Sequence, residues 1–164
     1  METALHLVTD WPGAAVLQNL HPLIVHYPIA MLTSSTMVYL AAAIARRERW
    51  AWLALWLLAL GALGATASVW SGLRAGEAVM VAPAVRANIL EHHEHLMILA
   101  WVLSLLALVW GVAGRPLPRR GGIGFLVLLL MMSAVLARGA DYGGWMVYGY
   151  NAGGSLPQPI DFSR

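Results

Sequence analysis

Cysteine and lysine are both missing from the 164 residues, and only 11% of them carry a charge. Without cysteine there is no disulfide, no thiolate-bound zinc, no iron–sulfur cluster and no haem attached through Cys-x-x-Cys-His, which leaves histidine as the strong metal ligand. Every one of the ten basic residues is arginine and the formal net charge is only +2. A nucleic acid would find no basic stripe to bind, so that class of partner is excluded. What the chain has instead is hydrocarbon: 60% hydrophobic residues and a positive mean hydropathy, beyond the range of a soluble domain of this length. The sequence is that of an integral membrane protein.

Residues 1–20 contain Glu2, Asp10 and Trp11-Pro12-Gly13 but no basic residue. They lack the positive segment of a secretory signal and are expected to form a short interfacial arm outside the membrane. From Pro22 to Ala45 the chain is apolar, with Pro22 and Pro28 in the first turns and Ser34-Ser35-Thr36 small enough for close helix contact. This first span ends at Arg46-Arg47-Glu48-Arg49, and Trp50, Trp52 and Trp56 open a second apolar run that reaches Gly72. Gly61, Gly64 and Ala65-Thr66-Ala67-Ser68 give that run a stripe of small residues, for packing or for a flat ligand. Arg74 to Glu91 reads as a mixed loop containing Pro83, with helix resuming at Ala84. A third span runs to Gly114, the Arg115–Gly122 segment is a turn, and a fourth span covers Ile123 to Ala137 before a Gly- and Tyr-rich tail. The expected fold is all-α, a four-helix transmembrane bundle over residues 21–147, between an arm at 1–20 and a tail at 148–164.

The two short connections carry three arginines each, Arg46, Arg47 and Arg49 in one and Arg115, Arg119 and Arg120 in the other. The positive-inside rule puts both in the cytoplasm, with both termini periplasmic. Spans one and three then begin on the outer side, and His21, His26, His92, His93 and His95 all fall in one leaflet. Only His6 lies apart. Intramembrane histidines cost free energy unless bonded or metal-bound, so they are the candidate functional residues.

On a helix, His21 and His26 lie about 140° apart in azimuth and about 7.5 Å along the axis, so one of them faces span three. The deeper His26 is the expected one. His92 and His95 share a face about 60° wide, and His93 points elsewhere. The favoured pair is His26 with His95, one imidazole from each of two helices, as a non-covalent bis-histidine haem b requires. Arg74, Arg86 or Arg138 could pair with the haem propionates, and Met97, Trp70, Trp101 and Tyr27 could line the ring. The alternative is a bare Cu or Zn ion held by Glu91 and His95, four positions apart, together with His26. The remaining reading has the histidines capping helix ends and bonding to carbonyls, Glu91 and Glu94.

Leu20-His21-Pro22-Leu23-Ile24-Val25-His26-Tyr27-Pro28-Ile29-Ala30, a histidine at the head of span three, and Gly143-Gly144-Trp145-Met146-Val147-Tyr148-Gly149-Tyr150 together resemble the DUF2231 family of small bacterial four-span membrane proteins. The resemblance covers most of the chain. It implies haem or electron-transfer roles and implicates His21, His26, one of His92, His93 or His95, and the Gly143-Gly144 segment. The chain departs from the family pattern in lacking a histidine at Tyr148-Gly149-Tyr150-Asn151 and in carrying the richer His92-His93-Glu94-His95 cluster. A second haem held by His21 and His92 stays open.

No nucleophile–base pair is visible in the sequence. The expected function is a cytochrome-like, non-catalytic subunit of a redox complex in the bacterial inner membrane, passing electrons between the quinone pool or a periplasmic cytochrome and partner subunits. A copper- or zinc-handling protein and a cofactor-free assembly subunit are the alternatives.

Overall fold

In a bilayer the backbone must satisfy its own hydrogen bonds, and apolar runs of this length do so as helices. The computed structural model describes residues 21–114 and 122–152. Four helices long and apolar enough to cross a membrane account for nearly all of them: α1 (His21–Ala45), α2 (Glu48–Ala78), α3 (Pro83–Gly114) and α4 (Gly122–Tyr150). The chain is a multi-pass membrane protein.

The turn from α1 to α2 is a two-residue reversal. Arg46 takes a left-handed conformation (φ 52°) and the Arg47 N–H donates back to the Ala42 carbonyl at 3.0 Å, the bond that closes a helix C-terminus. Neighbouring helices then pack in the order of the chain, α1 on α2, α2 on α3, α3 on α4 and α4 back on α1. α1 and α3 therefore stand on a diagonal of the bundle.

The core sits between the four helices, where Leu32, Leu58, Leu129 and Met132 are fully buried. Phe125 meets the Tyr39 ring edge-on at 4.8 Å and the Trp110 ring at 5.8 Å. Side-chain hydrogen bonds tie the helices where lipid offers no apolar driving force between them. Ser35 Oγ donates to the Ala54 carbonyl at 2.7 Å, Thr36 Oγ1 bonds to Ser133 Oγ at 2.9 Å, and Trp101 Nε1 donates to Thr66 Oγ1 at 2.9 Å. Trp50, Trp52, Trp56 and Trp110 lie exposed toward one end of the bundle, Trp70 and Trp145 toward the other, as interfacial aromatics do.

Two spans are longer than expected. α2 continues past Gly72 to Ala78, and α4 runs through Ala137 and the Gly143-Gly144 segment to Tyr150. Glycine breaks an exposed helix but not one whose glycines are filled by a neighbour; Met97 packs against Gly139 and His93 against Gly143. The loop expected over 74–91 shrinks to four residues, 79–82. The arm at 1–20, the turn at 115–121 with its three arginines, and residues 153–164 lie outside the described residues.

A second small core closes the histidine-bearing end. Val85, Ile89, Leu90 and Met146 are buried together, with Val79, Val81 and Tyr142 against them. Arg86 donates to the Gly76 carbonyl at 3.0 Å and the Val79 carbonyl at 2.9 Å, satisfying two acceptors that α2 leaves open at its C-terminus. Residues Arg86–Leu90 form one wide π turn before α3 settles into α-helix at Glu91.

A Cβ added to Gly61 would come 2.6 Å from Leu32 Cδ2 and 3.1 Å from the Leu32 backbone nitrogen, whereas one on Gly122 meets nothing. Gly61→Leu is expected to force α1 off α2 at a cost of about 1–3 kcal/mol, and Gly122→Ala to leave stability unchanged. Thermal unfolding in detergent distinguishes the two.

Candidate functional site

α1 opens with His21 and carries His26 in its second turn, and the α-helical part of α3 opens with Glu91-His92-His93-Glu94-His95, so the first two turns of two diagonal helices bring five imidazoles to one end. Their surroundings differ sharply. His21 and His93 are half-buried, while His26, His92 and His95 are exposed.

His21 lies over α2. Its Nδ1 is 3.0 Å from Ser71 Oγ, and that hydroxyl in turn donates to the Ser68 carbonyl at 3.1 Å. With its own proton committed to Ser68, the Ser71 oxygen accepts from the ring, which places the His21 proton on Nδ1. Gly72 makes this seat possible: a Cβ there would come 2.8 Å from His21 Cε1.

His93 lies against α4 in the same manner. Its Nδ1 is 2.8 Å from the Gly139 carbonyl, a pure acceptor, so here too Nδ1 carries the proton and Nε2 the lone pair. Gly143 opens the space, since a Cβ would meet His93 Cε1 at 3.1 Å.

None of the first seven residues of α1, His21 to Tyr27, is fully buried, so the bundle is less tightly filled here than in its core. Ser68 Oγ is buried one turn deeper on α2 and has no hydrogen-bond partner among the described residues. Glu94 is half-buried with its carboxylate against Gly76.

The other expected site residues stand elsewhere. His26 and His95 sit on exposed faces of α1 and α3, outside the bundle interior. His92 stacks on the Tyr142 ring at 5.8 Å. Arg86 is committed to the carbonyls of Gly76 and Val79. Arg74 lies over the Trp70 ring at 3.9 Å, and Arg138 pairs with Asp141 at 2.6 Å while covering Tyr142. Both are exposed.

Among the described residues no three His, Asp or Glu side chains gather as a metal-ion site, so Glu91, His95 and His26 are not brought together. Two tethered imidazoles suit a different group. A haem supplies four equatorial nitrogens itself and asks the protein for only two axial ones. Ligating histidines characteristically donate their second ring nitrogen to a carbonyl or similar acceptor, as His21 and His93 do. The donor set therefore fits a bis-histidine haem.

Sequence reasoning overlooked the acceptors. Ser71 and the Gly139 carbonyl fix the two rings, and the signal for the first was present in Ser68-x-x-Ser71-Gly72 at the level of His21. A backbone carbonyl leaves no such trace.

Residues 17–155 match DUF2231, described as a predicted membrane protein. The chain belongs to this family. No curated protein and no solved structure matches it. Within the DUF2231 region lie all four helices, both tethered histidines and both of their acceptors.

Replacing Arg86 by Met is expected to leave the Gly76 and Val79 carbonyls unmet and to loosen the link into α3 by about 2 kcal/mol. Hydrogen exchange would then rise across residues 79–90 and stay unchanged in the Leu32–Leu129 core.

Proposed function

We propose that this DUF2231 protein is a b-type cytochrome-like electron-transfer subunit of a membrane redox complex, with one haem held between His21 and His93. The observation that carries the reading is the matched treatment of these two rings. Each comes from a different one of two diagonal helices, each has Nδ1 engaged by a neighbouring helix, and each is given room by a glycine. A histidine that merely capped a helix end would need neither a specific acceptor on the next helix nor a space cut for its ring. Compared with the expected pair of His26 and His95, the His21–His93 pair has the half-buried environment that a buried macrocycle needs.

The haem, when bound, supplies one-electron redox chemistry. The chain's residues do the rest. Ser71 and the Gly139 carbonyl hold the imidazoles in the Nδ1–H tautomer and fix their planes. Arg74 and Arg138 offer positive charge toward the aqueous edge for propionates. Under the positive-inside rule the site lies in the periplasmic leaflet of the bacterial inner membrane, and a quinol or a periplasmic redox protein is the partner that can reach it.

The absorption spectrum of the detergent-purified protein tests this. A Soret band is expected, lost in His21→Ala and in His93→Ala and retained in His26→Ala and His95→Ala. Ser71→Ala should keep the band and weaken haem affinity about ten- to hundredfold. Absence of the band with copper or zinc by elemental analysis would replace haem by a bare ion. Absence of both would leave an assembly subunit.

A further inference from the structure

One side of α4 carries a feature that the paired imidazoles do not use. The His92 ring stacks on Tyr142 with centroids 5.8 Å apart, Tyr142 lies 6.4 Å from Trp145, and Trp145 lies 6.0 Å from Tyr150. All three separations are those of rings in direct packing. The file starts at the residue covalently joined to His93 and ends at the last residue of α4. Arg138 holds it in place from the side, with its guanidinium 4.7 Å from the Tyr142 centroid and ion-paired to Asp141.

An ordinary interfacial belt needs aromatic rings at one depth, spread around the bundle. These rings instead form one line, each packed on the next, from the exposed His92 at the start of the α-helical part of α3 to the end of α4. Electron tunnelling is carried far better through packed rings than across gaps, so such a line is a low-resistance path. We propose that His92, Tyr142, Trp145 and Tyr150 form the route by which single electrons pass between the His21–His93 centre and a soluble one-electron carrier at this end of the bundle. The inference rests on the haem reading. A haem held by His21 and His93 would supply the one-electron chemistry, with the soluble carrier as the other half of the exchange; His92, Tyr142, Trp145 and Tyr150 would only conduct, with no proton moved and no ring oxidised.

Because the chain has no cysteine, a single one can be introduced for labelling. A ruthenium–bipyridyl photosensitiser would be attached through Tyr148→Cys, at a residue 93% exposed on α4, or through Leu23→Cys, 66% exposed on α1. After a flash, haem reduction is followed by absorbance. Tyr142→Leu and Trp145→Leu should each slow electron arrival from position 148 by an order of magnitude and leave arrival from position 23 unchanged, with the Soret band and midpoint potential unaltered. Trp70→Leu, an exposed aromatic of α2, should slow neither. In the haem-free protein, near-ultraviolet circular dichroism should show non-additive losses for Tyr142→Leu and Trp145→Leu, the mark of coupled rings. Equal rates in all variants, equal slowing from both positions, slowing by Trp70→Leu, or additive dichroism would each overturn the route while the Soret band stands. A purified protein without a Soret band would instead remove the haem reading, and the route with it.

Discussion

Everything at the histidine end depends on how closely the other helices can approach α2. Its inward face is built from Ala51, Ala54, Leu58, Gly61, Ala65, Ser68 and Gly76, small residues with a single leucine among them. In a bilayer, helices gain little from hiding apolar surface, because lipid tails are equally apolar, and association rests on van der Waals packing and interhelical hydrogen bonds. A narrow helix face lets both act. Leu32 reaches the α2 backbone at Gly61, Tyr27 at Gly64 and His21 at Gly72, all from α1, and Glu94 arrives at Gly76 from α3. The stripe that packs the middle of the bundle is thus the same one that seats polar groups at its end.

That continuity explains why two histidines can be half-buried without an obvious energetic penalty. An imidazole taken from water must recover its hydrogen bonds, and α2 and α4 each present an acceptor where a ring arrives, Ser71 on one and the Gly139 carbonyl on the other. α4 cannot normally offer a main-chain carbonyl to another helix, since helical carbonyls are used internally. Glycine at 143 strips away the side chain that would otherwise keep His93 from reaching it, and glycine at 139 makes room for Met97 beside it. The same glycines, in a helix exposed to water, would have been stop signals.

The class of fold was legible from composition and run length, because four apolar stretches separated by arginine clusters have few other readings. Helix ends were less so. Gly72 and Gly143-Gly144 look like terminators in sequence, and Gly72 and Gly143 are contact points in three dimensions. The histidine cluster was visible as a cluster, but its internal division was not. Azimuth along a single helix lets only one of His21 and His26 face span three and depth favours His26, whereas the direction of a ring depends on which neighbour stands beside it, and α1 rests on α2 rather than on α3. His93 lies off the His92–His95 face and stands among the candidate ligands with no partner named for it. Its ring is the one that reaches the α4 backbone, at the Gly139 carbonyl.

The wide turn at Arg86–Leu90 gives that last fact its mechanical origin. Each residue advances an α-helix by about 100°, and a π turn absorbs one more residue than an α turn before the helix resumes. Everything from Glu91 onward is therefore rotated by the equivalent of one position relative to the segment that Arg86 anchors to α2. Among consecutive residues as different as His92, His93 and Glu94, one step of phase decides whether an imidazole or a carboxylate meets the carbonyl of Gly139. The bulge sets the clock angle of the helix, and the chemistry presented to the bundle axis follows from it.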